Sequence, residues 1–177
     1  IKDTSWVYAS VANAGDDEKP SQLAIFNQDY SHARILNNSK KVFLKGSLNS
    51  LTLFQSDQIL LAQVLADRQG FYLHSCGVIL KGKGLLFVGH SGSGKSTMAG
   101  FLNKKSELLC DDRIIVRKKG GVIRIYGTWS HGDILNVSAN SAPLKAILFL
   151  NKSEMNYIDK LQDNKIIARK LLPCLIK

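Results

Sequence analysis

The chain has 177 residues, 45% of them apolar, enough to enclose one domain core without a disulfide framework. Its net charge of +10 favours an acidic partner, whether nucleotide, nucleic acid, membrane surface or acidic peptide, without choosing among them. No apolar run reaches the roughly 18 residues of a spanning helix, no basic-then-apolar leader opens the sequence, and Cys76, Cys110 and Cys174 show no CxxC or metal-ligand spacing. These features predict a soluble, cytoplasmic protein with reduced core thiols.

In chain order, residues 5–55 hold short β-type runs, SWVYASV, LAIF, KVFLKG and LTLF, separated by polar breaks such as NAGDDEKP and LNNSK. This is the pattern of an antiparallel flank. SDQILLAQVLADRQG then sets Ile59, Leu60, Val64 and Leu65 at helical spacing, with Ser56 or Asp57 as N-cap and Gly70 as stop. From Leu73 the strands CGVIL, LLFV, IIVRK and VIRIY alternate with the turns KGKG and KKGG, and KSTMAGFLNKK reads as a helix. A last strand, KAILFL, leads into two helical patterns, EMNYIDKLQ and NKIIARKLL, the second halted by Pro173. The expected fold is α/β, a mixed β-sheet core over 71–177 with an antiparallel N-terminal flank over 1–70, in a single domain without internal repeats.

The most specific feature is Gly89-His90-Ser91-Gly92-Ser93-Gly94-Lys95-Ser96, which fits G-x-x-x-x-G-K-[ST] and lies between a buried-strand pattern and a helical one. Glycines at 89, 92 and 94 let successive backbone N–H groups turn inward into a nest for phosphate oxygens, and the helix start adds its positive end. The segment from Gly89 through Thr97 is thus the candidate ATP-binding loop. Lys95 is suited to the β- and γ-phosphates and Ser96 to Mg²⁺. A tight strand-to-helix turn, the plain alternative, has no use for the Lys-Ser pair.

A nucleotide site also needs a carboxylate at the end of a neighbouring strand, and ELLCDDRIIV supplies Asp111 and Asp112 directly after three apolar residues. Adjacent residues of an extended chain point to opposite sides. One carboxylate is therefore suited to hold Mg²⁺ and the other to accept a proton from an attacking hydroxyl.

Residues 73–116, LHSCGVILKGKGLLFVGHSGSGKSTMAGFLNKKSELLCDDRIIV, resemble the catalytic core of the bacterial HPr kinase/phosphorylases and related small kinases, which share a fold with the ATP-dependent phosphoenolpyruvate carboxykinases. In that family a histidine begins a strand ahead of the phosphate loop, and a later strand ends in paired aspartates. The resemblance implies Lys95 on the β/γ-phosphates, Ser96 and Asp112 on the Mg²⁺ side, Asp111 as general base and His74 near the transferred phosphoryl group. Taken alone, His74 reads as a packed or capping residue. The family's downstream glycine-rich signature is missing. In its place YGTWSHGDILNVSANSAPLKAILFL resembles the Trp-His-Gly and Pro-Leu-Lys segments of smaller HPr-kinase-like proteins, some of which phosphorylate peptides or small molecules. Within it, Trp129, Ser130, His131 and Asp133 are candidates for a substrate pocket or a lid over the γ-phosphate, Trp129 and His131 foremost, the alternative being a turn with Trp129 tucked onto the core.

The function expected from these features is Mg²⁺-dependent transfer of the γ-phosphoryl group of ATP to a hydroxyl, foremost a serine of a protein or peptide, or else of a small molecule. A nucleotide switch or hydrolase would need a water-orienting Gln or Glu that the sequence does not offer. A nucleic-acid module is not expected, because the lysines are spread through turns without interleaved aromatics. A homo-oligomer is an expectation by family analogy alone.

Overall fold

The structure, a computed structural model, describes residues 4–11, 20–37, 56–102 and 104–176. The chain divides into two compact units, Ile1–Val64 and Leu65–Lys177. The first contains a three-stranded antiparallel sheet of β1 (Thr4–Val11), β2 (Pro20–Asn27) and β3 (Ala33–Asn37), in that spatial order. Ala24 and Phe26, two apart on β2, are buried on one face, as period-two alternation requires. Tyr30, in the β2–β3 turn, stacks on Trp6 at 6.3 Å and its hydroxyl bonds Gln63. The antiparallel flank thus follows expectation, while β3 was not foreseen. The expected strands KVFLKG and LTLF lie outside the described residues.

The division between units falls within α1 (Ser56–Ala66). The helix ends four residues before the expected stop. Arg68 and Gln69 bond back to the carbonyls of Leu65 and Ala66, and Gln69 takes a left-handed φ of 54°. Gly70 instead opens a strand, where a Cβ would stand 3.0 Å from the Val116 carbonyl oxygen.

The second unit is built on β4 (Gly70–Leu80), β5 (Lys83–Val88), α2 (Lys95–Leu102), β6 (Glu107–Cys110), β7 (Arg113–Lys119), β8 (Val122–Tyr126) and β9 (Ser141–Phe149). All neighbours pair antiparallel except β5 and β9, which run parallel, so the sheet is mixed, as expected. β9 switches partners along its length. Ser141–Pro143 pair with β8 and Leu144–Phe149 with β5, and the change falls beside a proline that has no N–H to give a ladder. Because β4 also pairs with β5, the strands β5-β9-β8-β7-β4 form a closed circuit.

Gly77–Ile79 pair with both β5 and β6, so those two strands hold opposite edges of β4. Along the β6 edge, Gly77 faces Cys110, the Ser75 N–H bonds the Asp112 carbonyl at 2.9 Å, and His74 faces Arg113. β6 and β7 are therefore one antiparallel run broken at Asp111–Asp112. Since β4 begins at Gly70, His74 lies well inside a strand, a correction to the expectation that it begins one.

Strand alternation sorts two apolar layers. Leu73, Leu86, Val88, Ile114, Val116 and Ile125 form one cluster, while Cys76, Val78, Phe87 and Leu108 pack with Ala99 of α2 in the other. Each fully buried Leu or Val contributes about 1.5–3 kcal/mol. Cys76 and Cys110 are buried free thiols and Cys174 is half-buried. Burial pushes the Cys76 thiol up to about 12, the environment of an inert core cysteine.

EMNYIDKLQ is not a helix. Residues 151–163 have no regular structure, and Met155, Tyr157 and Ile158 are exposed. Most helical stability comes from packing an apolar face, which this segment does not do. Asp163 instead caps α3 (Asn164–Leu171), its carboxylate accepting from the Lys165 N–H, and a 3₁₀ turn over Leu172–Cys174 follows at Pro173. Among the described residues no helix is long and apolar enough to cross a membrane.

Residues 127–140 cross back over the sheet without regular structure. A Cβ on Gly127 would overlap the Ser138 carbonyl oxygen and lie 3.1 Å from that of Leu109. Because both neighbours are backbone, Gly127→Ala is expected to cost about 1–3 kcal/mol or more, read as a lower urea midpoint at unchanged slope.

Candidate functional site

β5 delivers its chain at Val88 into the loop 89–94, and α2 starts at Lys95. Gly92 and Gly94 take φ values of 74° and 101°, a region closed to most side chains, with open space where a Cβ would stand. Gly89 is needed for a different reason, since a Cβ there would overlap the Ser93 hydroxyl and lie 2.9 Å from the Ser93 Cβ. The Lys95 ammonium, 7% exposed, donates to the carbonyls of Gly89 at 2.9 Å and His90 at 3.1 Å, tying the side chain across its own loop. Ser93 Oγ is buried, with no hydrogen-bond partner among the described residues.

The loop borders a cleft of about 320 Å³. Of the residues singled out from sequence, Ser91, Gly92, Gly94, Lys95, Ser96 and Thr97 line it from the loop side, and His74, Asp111 and Asp112 from the sheet side. Gly89 and Ser93 support the loop from behind. His90, Trp129, Ser130 and His131 do not line the cleft. Of the candidates in the segment 127–140, Asp133 reaches it, with Gly132 beside it.

The two carboxylates sit in different surroundings. Asp111 is 3% exposed. Its Oδ1 accepts the Gly132 N–H at 2.6 Å, and its Oδ2 accepts the Ile134 N–H at 3.0 Å and the Ser96 hydroxyl at 3.3 Å. A Cβ on Gly132 would come 3.1 Å from Asp111 Oδ2, so the glycine permits this close approach. Asp112 is more open. Its Oδ2 accepts the Ser130 hydroxyl at 2.7 Å and lies 3.3 Å from Arg113 Nε, while its Oδ1 stands 3.8 Å from His74 Nε2.

That last separation exceeds a hydrogen bond. Burial and then the Lys95 charge lower the His74 pKa below its ordinary value, against the pull of Asp112, so the imidazole is neutral near pH 7. Sequence reasoning placed Ser130 in a substrate pocket or lid, whereas the structure sets its hydroxyl on Asp112, and it missed the backbone donors of Gly132 and Ile134. The signal for the Ser130 contact was Thr128-x-Ser130, two hydroxyls at i and i+2 just after β8.

Among the described residues no three His, Cys, Asp or Glu side chains gather as a metal site on their own. The donors present suit Mg²⁺, which takes one or two carboxylates and completes its shell with water and phosphate oxygens. The left-handed glycines of the loop and the start of α2 suit an anion in the loop.

No curated protein matches the chain. Among solved structures it is similar to the HPr(Ser) kinase/phosphatase from Coxiella burnetii, at 20% identity and a TM-score of 0.39, over 50% of this chain and 65% of that one. The likeness is remote, and the chain spans less than two thirds of that protein. The family profile described as "ScmC: SynChlorMet cassette protein ScmC" matches residues 41–171. That match takes in the loop, both aspartates and the segment that reaches over them, and it covers well over half of the sequence, so the chain belongs to the ScmC family.

Proposed function

We propose that the protein is an ATP-dependent phosphotransferase that moves the γ-phosphoryl group to a hydroxyl, foremost a serine of a protein or peptide. The observation that carries this reading is the convergence of Lys95, Ser96, Asp111 and Asp112 on one cleft beside a loop with two left-handed glycines. Exposure of Ser91, Gly92, Thr97, Gly132 and Asp133 at its rim supports a macromolecular acceptor, whose side chain can enter from solvent.

In this reading the N–H groups of the loop and of the first turn of α2 bind the phosphates, and Lys95 neutralises them as a fixed point charge. Mg²⁺ supplies charge neutralisation and orientation when bound. We allot the carboxylates oppositely to the order the family resemblance implies. Asp111 is bonded to the Ser96 hydroxyl and has both oxygens engaged, which suits the metal side. Asp112 keeps Oδ1 toward the cleft, which suits the base. Asp112 Oδ1 takes the proton of the acceptor hydroxyl as its oxygen bonds to the γ-phosphorus and the bond to the β-phosphate oxygen breaks. Neutral His74 beside Asp112 adds a polar group without drawing off its charge. Positioning and electrostatics carry such a reaction.

The test is to incubate the whole chain with γ-labelled ATP, Mg²⁺ and an extract of its own cells. Label on a discrete peptide or metabolite, absent with Asp112→Asn, is expected. Release of free phosphate with no labelled acceptor would make the protein a hydrolase.

A further inference from the structure

We propose that Ser130 is a positioning residue for Asp112, holding its Oδ2 so that Oδ1 is the oxygen presented to the cleft. The inference rests on the phosphotransferase reading above and names a residue that the sequence motif does not contain.

Asp112 lies on the two-residue break between β6 and β7, where no ladder partner of its own strand fixes the side chain. Its backbone is held by the Ser75 N–H. Its carboxylate has two rotatable bonds, and a base aimed in several directions loses the advantage of fixed geometry. One hydrogen bond removes that freedom: the Ser130 hydroxyl donates to Oδ2 at 2.7 Å, while Arg113 Nε, 3.3 Å from the same oxygen, is near enough for charge attraction but not aligned for a hydrogen bond. Oδ1 is left facing His74.

Ser130 is itself constrained. It is 4% exposed, and its N–H bonds Thr128 Oγ1 at 3.2 Å. Thr128, 6% exposed, donates its hydroxyl to the Arg113 carbonyl at 2.6 Å. The donor that aims Asp112 is thus anchored to the backbone of the residue next to Asp112, so the two move together. A buried chain of hydroxyls that ends on a carboxylate at the cleft is more than a core needs, because each buried polar group must be paired to avoid a penalty.

The experiment uses the full chain with Mg²⁺ and γ-labelled ATP, following the rate of label transfer to acceptor in an extract of its own cells, ATP affinity by calorimetry and the melting temperature. Ser130→Ala is expected to lower kcat about tenfold to a hundredfold, the worth of a hydrogen bond to a charged group, with KM and ATP affinity within about twofold. Ser130→Thr, which keeps the hydroxyl, should recover most of the loss. In an Asp112→Asn background, Ser130→Ala should change kcat by less than about twofold, since a residue acting only through Asp112 has nothing left to aim. If Ser130→Ala melts early, Ser130→Cys, close in volume and a weak donor, is expected to show the same kcat loss in a folded chain.

Equal losses in both backgrounds, or an unchanged kcat, would overturn the positioning role while leaving the phosphotransferase reading intact. A wild-type chain that neither binds nor turns over ATP would overturn that reading and this proposal with it.

Discussion

Replacing Lys95 with alanine is expected to lower turnover of ATP by about 10²–10³-fold, the range seen when one preorganised charge or donor is taken from a transition state. ATP affinity should fall as well. The side chain is buried to 7% exposure and its ammonium is held by the carbonyls of Gly89 and His90, so its charge belongs to the loop rather than to solvent. Buried in this way, the charge acts through a lower effective dielectric than that of a surface lysine does. Arginine should not rescue the loss. The guanidinium is a rigid planar fork, and the space around Lys95 is bounded by its own loop. Lys95→Met, which keeps most of the volume and removes the charge, separates electrostatics from packing. Its melting temperature should stay near that of the wild type while turnover falls as in Lys95→Ala. Unchanged turnover in either variant would remove the loop from the chemistry.

The parts of this architecture legible in the sequence are those that local rules govern. Gly92 and Gly94 adopt the left-handed φ that their place between a strand and a lysine suggests, and α2 begins at Lys95, where the motif puts it. Asp111 and Asp112 mark a strand break because two acids cannot continue the apolar run of Leu108 and Leu109. Features that depend on distant partners were not legible. β4 reaches back to Gly70 because Val116 and Arg117 pair with its first residues, and no local pattern announces that. EMNYIDKLQ has helical spacing but finds no surface to bury it against among the described residues, and spacing alone does not fold a segment. In GTWSHGD the sequence marks Trp129, Ser130, His131 and Asp133 as a substrate loop, whereas in the structure Ser130 and the N–H of Gly132 turn to the two carboxylates. A hydroxyl and a backbone amide carry little signal in a sequence, since almost any loop contains both.

The contrast between Asp111→Asn and Asp112→Asn tests how the two acids divide their work, and the two changes should differ in kind. At Asp111 both oxygens accept backbone N–H groups, from Gly132 and Ile134, and Oδ2 also meets the Ser96 hydroxyl. An asparagine has one oxygen and one NH₂. One of those N–H donors must then face another donor in a place that is 3% exposed. Asp111→Asn is expected to cost about 1–3 kcal/mol of stability through that unmet group, and to loosen the segment over the cleft. Mg²⁺-dependent ATP binding should weaken with it. Asp112 is different because the oxygen of an amide can still accept from Ser130, and the lost oxygen is the one facing the cleft. Asp112→Asn should therefore leave the melting temperature and Mg²⁺-ATP affinity close to wild type while turnover falls by about 10²–10⁴-fold, the usual worth of a general base. Calorimetric binding of a non-hydrolysable ATP analogue, set beside kcat for each variant, separates the cases. If Asp111→Asn kept fold and binding but lost turnover, and Asp112→Asn lost metal-dependent binding, the roles would revert to those the family resemblance implies. One oxygen of Asp111 would then have to turn from its present donor, Gly132 or Ile134, toward the acceptor, and movement of residues 130–134 would become a step of the reaction.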